Sequence, residues 1–307
     1  MELLKSLCNV HAPAGEEYRL TEYLINYIDT HKHTWNTMPT IIAGEGFQDN
    51  IMLIFGEPKT AVFAHIDSIG FTVKYDKELV KIGGPKTEEG LKLKGFEMDG
   101  TAVSTSTIVT EEEDGTKLTT HSGNEIERGT ALSFECDFRL TEEYVQSCYL
   151  DNRLGVWTSL ELCKTMENGA IVFSTWEEHG GGSVSYLAKY LADNYKISQG
   201  LIADITWVTK GVTHGNGVAI SLRDSLLPRR SFVNRIIAIA KKHQIKFQLE
   251  VENAGGSDAK ELQNAAHPWD WCFIGAPEDF VHTPNEKVHL DDIKSMVALY
   301  QMLLKEL

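Results

Sequence analysis

Short apolar runs alternate along this chain with longer stretches in which apolar residues recur every three or four positions. The runs are residues 61–64 (AVFA), 170–174 (AIVFS), 200–203 (GLIA) and 271–274 (WCFI). Runs of this kind are typical of strands buried in a parallel sheet, and the longer spacing is typical of amphipathic helices. The helical spacing is seen over residues 184–191, 232–240 and 290–304. Strand followed by helix, repeated, predicts an α/β sheet with helices on both faces.

Residues 74–147 follow a different pattern. Gly-Gly, Asp-Gly and Ser-Gly pairs separate short runs rich in threonine and valine, such as residues 101–109, and there is no long helical stripe. This pattern is typical of short strands joined by tight turns. We therefore predict a main domain made of residues 1–73 and 148–307, interrupted by a small all-β inserted domain over residues 74–147.

Composition and charge narrow the class of protein. The chain is 42% hydrophobic and 24% charged, which is typical of a globular protein and excludes disorder. The chain has 44 Asp and Glu residues against 29 Lys and Arg residues. This balance disfavours the binding of nucleic acid and favours the binding of cations. The five cysteines are dispersed without a CxxC pair, which predicts reduced thiols. With no apparent signal peptide or membrane span, we expect a cytoplasmic protein without membrane or nucleic-acid partners.

Histidines and carboxylates stand where the apolar runs end. They are His65 and Asp67 after AVFA, Asp151 at the start of DNRLG, Glu177 and Glu178 after IVFSTW, Asp204 after GLIA, and His282 in the loop after WCFI. Ligands of open α/β sheets bind at the carboxyl ends of the strands. We therefore expect two histidines and five carboxylates to meet at one edge of the sheet.

Such a group of carboxylates requires a bound cation, because close like charges raise pKa values and destabilise a fold. Imidazole and carboxylate ligands together favour Zn²⁺, or Co²⁺ or Mn²⁺, over Ca²⁺ and Mg²⁺. The ligands suffice for two metals about 3.5–4 Å apart that share a carboxylate. Each motif alone has an ordinary structural interpretation, such as a His–Asp pair, an exposed Glu-Glu pair or a helix N-cap. Their joint order is what favours a metal site.

The same segments carry a resemblance to a known family. The chain resembles the co-catalytic metallo-aminopeptidases that include the tetrahedral and glutamyl/lysyl aminopeptidases, metallopeptidase family forty-two. The matching segments are AHIDSIGF (64–71), LDNRLG (150–155), TWEEHG (175–180), IADIT (202–206), GGSDA (255–259) and VHTPNEKV (281–288). They occur in the family's order and cover nearly the whole chain. The resemblance implies a phosphorylase/hydrolase-like α/β fold, a mixed sheet sandwiched by helices, with a small all-β inserted domain that serves oligomerisation or substrate access.

The resemblance also implies which residues are the ligands of two metals. In the family's arrangement, His65 and Asp204 hold one metal, and Glu178 and His282 hold the other. Asp151 bridges the two. The implied cofactor is a pair of divalent metals, with Zn²⁺ preferred and Co²⁺ or Mn²⁺ as alternatives.

Further roles follow from the same resemblance. Asp67 would hydrogen-bond the ring of His65, and Glu177 would be the general base, close to the metals without binding them. The peptide bond Asp151–Asn152 would be cis. The loop that contributes to substrate binding would contain Gly256, Ser257 and Asp258, although a glycine loop with a helix N-cap at Ser257 is an equally good interpretation.

These features predict a metal-dependent aminopeptidase that acts on short peptides and forms a homo-oligomer. One departure from the family pattern is the segment His179-Gly180-Gly181-Gly182 after the glutamate pair. A deacylase or carboxypeptidase with the same ligands is an alternative. It would need a cationic residue for the substrate carboxylate, and the candidates are Arg223, Arg229 and Arg230. An inert binding protein on this fold is a second alternative, but it would be expected to lack a ligand or the base.

Overall fold

The four apolar runs form adjacent parallel strands in the larger of two sheets. The computed structural model describes residues 1–112, 115–121, 123 and 125–307. Strand β3 (Thr60–His65) lies between β12 (Gly169–Ser174) and β13 (Gln199–Trp207), and β13 pairs in turn with β16 (Asp270–Asp279). All three pairings are parallel. The predicted block of buried parallel strands is confirmed.

Other strands extend this block on both sides. They are β1 (Thr40–Ile42), β2 (Ile51–Phe55), β10 (Arg139–Leu140), β11 (Tyr144–Ser147), β14 (Val218–Arg223), β15 (Phe247–Val251) and β17 (Glu286–His289). The order of pairing is β1-β2-β12-β3-β13-β16-β17-β11-β10, and β14 joins β15 to β16. Because β2 is antiparallel to β12 and β17 is antiparallel to β16, the sheet is mixed, as predicted.

Helices cover both faces of the larger sheet. They are α1 (Glu2–Asn9), α2 (Tyr18–His31), α3 (Leu150–Cys163), α4 (Ser183–Tyr195), α5 (Arg230–Lys242), α6 (Ala259–Gln263) and α7 (Leu290–Glu306). Side chains alternate across a strand. Val62 therefore belongs to an apolar core that also contains residues of α1, α2, α3, α5 and α7, whereas Phe63 belongs to a second core that contains residues of α4 and α6. Within the described residues, no helix combines the length and apolar character needed to cross a lipid bilayer.

The second sheet is antiparallel throughout. Its strands are β4 (Gly70–Val73), β5 (Leu79–Ile82), β6 (Lys92–Phe96), β7 (Ala102–Glu112), β8 (Gly115–Thr120) and β9 (Ala131–Phe134). Their order is β5-β4-β9-β6-β7-β8. A turn at Gly100, with φ of +87°, joins β6 to β7 as the Asp-Gly pair predicts. The predicted turns at Asp114 and Ser122 lie outside the described residues.

The two sheets meet next to the start of α3. Tyr149 packs into the apolar core of the second sheet, and its hydroxyl accepts a hydrogen bond from the backbone N–H of Phe134. Strand β4, which the prediction assigns to the main domain, belongs to this second sheet. Strands β10 and β11, which the prediction assigns to the inserted domain, pair within the larger sheet. The division into domains at residues 73 and 148 stays a prediction.

Candidate metal centre

Three of the predicted residues meet at the carboxyl end of β3. The register of β3 and β13 pairs Phe63 with Ile202, so Asp204 lies level with His65. Nε2 of His65 is 3.6 Å from Oδ2 of Asp204 and 3.2 Å from Oδ1 of Asp151. All three residues are buried, and their ligand atoms lie within 4.8 Å of one another.

A second group shares Asp151 with the first. Nε2 of His282 is 3.4 Å from Oδ2 of Asp151 and 3.3 Å from Oε2 of Glu178. The ligand atoms of these three residues also lie within 4.8 Å of one another. One oxygen of Asp151 therefore faces His65 and the other faces His282, which is the arrangement expected of a bridging carboxylate.

The start of α3 is shaped to present Asp151. The residue is not helical (φ −77°, ψ 104°), and its peptide bond to Asn152 is cis. The amide of Asn152 donates to the carbonyl of Ala203 on β13, at 2.9 Å. A Cβ atom on Gly155 would lie 2.0 Å from the same carbonyl oxygen. Glycine at this position therefore lets the helix approach β13, next to Asp204.

Asp67 connects His65 to the glutamate pair. Its carboxylate accepts hydrogen bonds from the backbone N–H groups of Glu177 (3.1 Å) and Glu178 (2.9 Å), and it lies 3.4 Å from Nδ1 of His65. The buried guanidinium of Arg153 donates a hydrogen bond to the backbone carbonyl of Asp67. Asp67 thus holds the backbone of the glutamate pair and lies next to His65 without belonging to either group.

Glu177 lies beside the metal-ligand groups without belonging to them. Its Oε2 atom is 3.9 Å from Nε2 of His65. The residue follows Trp176, which has a positive φ of 65°, in a short 3-10 turn. The turn directs adjacent side chains differently, since Glu178 contacts His282 while Glu177 faces His65.

The electrostatics of the cluster are those of a site that needs a cation. Burial raises the pKa values of Glu177 and Asp204 well above the usual range. The carboxylate of Glu178 raises the pKa of Glu177 further, and the carboxylate of Asp151 does the same for Asp204. Burial lowers the pKa of His282, but its hydrogen bonds with Asp151 and Glu178 outweigh this and raise it to about 11. A divalent cation would displace the retained protons. Imidazole nitrogens with carboxylate oxygens suit Zn²⁺, so the residues fit the implied metals.

A cavity of about 240 Å³ opens over both groups. Its wall includes Trp207 and Phe273 and three further carboxylates, those of Asp224, Glu250 and Glu252. Among the described residues, the lining contains no arginine or lysine. The three arginines considered for a substrate carboxylate, Arg223, Arg229 and Arg230, are therefore not part of this wall.

The predicted substrate loop contributes unequally to this cavity. Gly256 lines it. Ser257 is buried, and its hydroxyl accepts a hydrogen bond from the N–H of Ala259 at the start of α6. Asp258 is buried and accepts a hydrogen bond from the hydroxyl of Ser174. The last two residues therefore connect the loop to α6 and β12.

Two buried glutamates that sequence reasoning passed over also support the site. Oε1 of Glu17 accepts a hydrogen bond from the N–H of Trp176, directly before the glutamate pair. The carboxylate of Glu286 contacts the backbone of both Asp151 and His282. Glu286 could have been found from the sequence, because it lies in the matching segment VHTPNEKV (281–288). No sequence pattern around Glu17 marks that residue as part of the site.

Comparison with known proteins gives consistent matches. The family model for the M42 glutamyl aminopeptidase matches residues 119–299. The putative aminopeptidase FrvX of Escherichia coli (strain K12) is 23% identical, with 100% of this chain and 95% of that protein aligned. The aminopeptidase APDkam598 of the archaeon Desulfurococcus kamchatkensis has a TM-score of 0.85 at 21% identity, covering 100% and 94% of the two chains. The TET1 peptidase of Pyrococcus horikoshii, which can assemble into a tetrahedron or a large octahedral shell, has a TM-score of 0.82 at 22% identity, covering 100% and 99%.

Proposed function

The chain belongs to the M42 glutamyl aminopeptidase family, and from this premise we propose that it is a metal-dependent aminopeptidase that removes N-terminal residues from short peptides with a pair of divalent metals. The observation that carries the proposal is the pair of ligand groups that share Asp151 at the base of an acidic cavity.

The proposed metal ligands divide as the two groups do. His65 and Asp204 would hold one metal, Glu178 and His282 would hold the other, and Asp151 would be a ligand of both. Zn²⁺ is the metal that the donor set favours, with Co²⁺ or Mn²⁺ as alternatives. When bound, a pair of divalent metals lowers the pKa of water and polarises the carbonyl group of the scissile bond.

Glu177 is the proposed general base. Its carboxylate lines the cavity, belongs to neither ligand group, and is held at its backbone N–H by Asp67. Burial raises the pKa of the Glu177 carboxyl group well above its usual range. In the proposed reaction Glu177 takes a proton from the attacking water and later delivers it to the nitrogen of the leaving amine. Asp67 keeps the backbone of Glu177 and Glu178 in place beside His65.

The charge of the cavity indicates which end of a peptide enters. Seven carboxylates line the cavity and no lysine or arginine does, as far as the described residues go. A free α-ammonium group is attracted to such a wall, whereas the carboxylate of an N-acyl amino acid would be repelled. The cavity thus favours an aminopeptidase over a deacylase or carboxypeptidase.

The test of the proposed function compares matched substrates. The protein is loaded with Zn²⁺ or Co²⁺ and its metal content is measured. The release of p-nitroaniline from aminoacyl p-nitroanilides is compared with its release from their N-acetyl forms and with the release of acetate from N-acetyl amino acids. We expect two metals per chain and cleavage only where the α-amine is free. Release of acetate from N-acetyl amino acids alone would move the protein to the deacylases, and a protein with neither metal nor cleavage would support the inert binding protein.

We expect the preferred first residue to be basic. Asp224 and Glu250 are buried, and no ion pair involves either of them within the described part of the chain. They line the same cavity as Trp207 and Phe273, whose rings suit the apolar stem of a lysine or arginine side chain.

The preference is tested with lysyl, arginyl, leucyl and glutamyl p-nitroanilides. A hydrogen bond to a charged group contributes ~1.5–3 kcal/mol, so Asp224→Asn or Glu250→Gln should lower kcat/KM for the lysyl substrate about tenfold or more. The same variants should change leucyl hydrolysis little, which makes the leucyl substrate the internal control. Fastest cleavage of the glutamyl substrate by the unmodified protein would contradict the preference and leave the aminopeptidase proposal intact.

We also propose that the chain forms a homo-oligomer. The support comes from the TET1 peptidase of Pyrococcus horikoshii, which forms closed shells and shares the fold over nearly its whole length. A cytoplasmic location stays a prediction, based on the dispersed cysteines.

A further inference from the structure

We infer that Glu286 is a positioning residue that sets the distance between the bridging carboxylate and a histidine ligand. The inference rests on the proposed function, because it concerns the same metal site. Glu286 is 1% exposed, and each of its carboxylate oxygens accepts one backbone hydrogen bond. Oε2 accepts from the N–H of Asp151 at 3.2 Å, and Oε1 accepts from the N–H of His282 at 3.0 Å.

The backbone around both ligands explains why such a partner is needed. Asp151 precedes the regular part of α3, and His282 has a positive φ of 66° in the loop before β17. Neither N–H can therefore enter a regular helix or strand ladder, and a buried N–H without a partner is costly. Glu286 supplies both acceptors at once.

The sheet places Glu286 between the two ligands. Glu286 opens β17 and is paired with Ser147, the last residue of β11, from which the chain runs directly into α3 and Asp151. The same residue lies four positions after His282 along the chain. The two ligands, brought together from separate segments, are therefore held by one side chain.

Asp67 is the counterpart of Glu286 on the other side of the site. Its two oxygens accept hydrogen bonds from the N–H groups of Glu177 and Glu178. Together the two carboxylates hold the backbones of Asp151, His282 and the glutamate pair. Partners of this kind orient metal ligands and typically contribute about 10–100-fold to metal affinity.

The test is zinc binding by Glu286→Gln, measured on protein freed of metal with a chelator and titrated against a competing zinc indicator. Glutamine keeps the shape of glutamate but has one acceptor, so its NH₂ group must face the N–H of Asp151 or of His282. We expect the dissociation constant for at least one zinc to rise about 10–100-fold. Excess zinc should restore most of kcat, because the ligands themselves remain.

Two controls separate positioning from charge and from folding. Asp292→Asn removes a buried carboxylate that holds two backbone N–H groups, those of Gly215 and Gly217, away from the cluster. It should lower the melting temperature without a comparable change in zinc affinity. Glu278→Gln removes a buried carboxyl group near the cluster whose oxygens have no hydrogen-bond partner among the described residues. It should weaken zinc binding less than Glu286→Gln does.

Several results would overturn the inference. One is a Glu286→Gln variant that binds zinc like the unmodified protein; another is a loss no larger than that of Glu278→Gln. If Glu286→Gln does not fold, Glu286→Asp takes its place, since it withdraws the carboxylate by one methylene, and unchanged zinc affinity there would also contradict the inference. Failure of the unmodified protein to bind zinc would instead contradict the proposed function.

Discussion

The Glu177→Gln variant is expected to lose nearly all peptide hydrolysis while it still binds two metals. Glutamine has nearly the shape of glutamate but cannot take a proton from water or pass one to the leaving amine. General acid–base catalysis contributes about 10²–10⁴-fold, so kcat should fall by at least that range. Metal content should stay unchanged because Glu177 lies outside both ligand groups.

The measurement is kcat on the best aminoacyl p-nitroanilide together with metals per chain from elemental analysis. Glu177→Asp is the matched variant, since it keeps a carboxylate and moves it away from the water by one methylene. It should recover part of the lost activity with the same metal content. Full activity in Glu177→Gln would refute the assignment of the base. Loss of metal in that variant would mean that Glu177 is a ligand instead.

The Asp151→Ala variant is expected to lose both metals and, with them, hydrolysis. One oxygen of Asp151 is 3.2 Å from Nε2 of His65 and the other is 3.4 Å from Nε2 of His282. The substitution therefore removes a ligand from each group at once. Each group is then reduced to two ligands, and the carboxylate that joins the two groups is lost. Activity should fall to that of the metal-free protein.

Two single-group variants provide the comparison. Asp204→Ala removes a ligand only from the His65 group, and Glu178→Ala removes one only from the His282 group. Each should retain about one metal per chain after dialysis against a mild chelator, where Asp151→Ala retains none. An Asp151→Ala protein that still binds two metals would refute the bridge, and the two groups would then be independent sites.

The sequence pattern located the central strands of the sheet well and the ends of those strands less well. Apolar runs such as residues 170–174 coincide with β12, because strands buried on both faces must be apolar along their whole length. The end of β13 was less predictable. The strand continues to Trp207, so Asp204 lies within it rather than after it. The strand continues because its pairing with β16 extends through residues 204–207. Hydropathy alone carries no signal for pairing with a distant strand.

For the site, the sequence by itself marked the side chains that the structure brings together, because each stands in a short motif at the end of a recognisable apolar run. It also determined their order, from His65 to His282. Only the tertiary structure decided that Asp151 faces both histidines, that Glu286 holds two ligands, and that Asp224 and Glu250 extend the acidic wall. These relations join segments far apart in the chain. Local periodicity records which face of an element is buried, but not which distant segment packs against it.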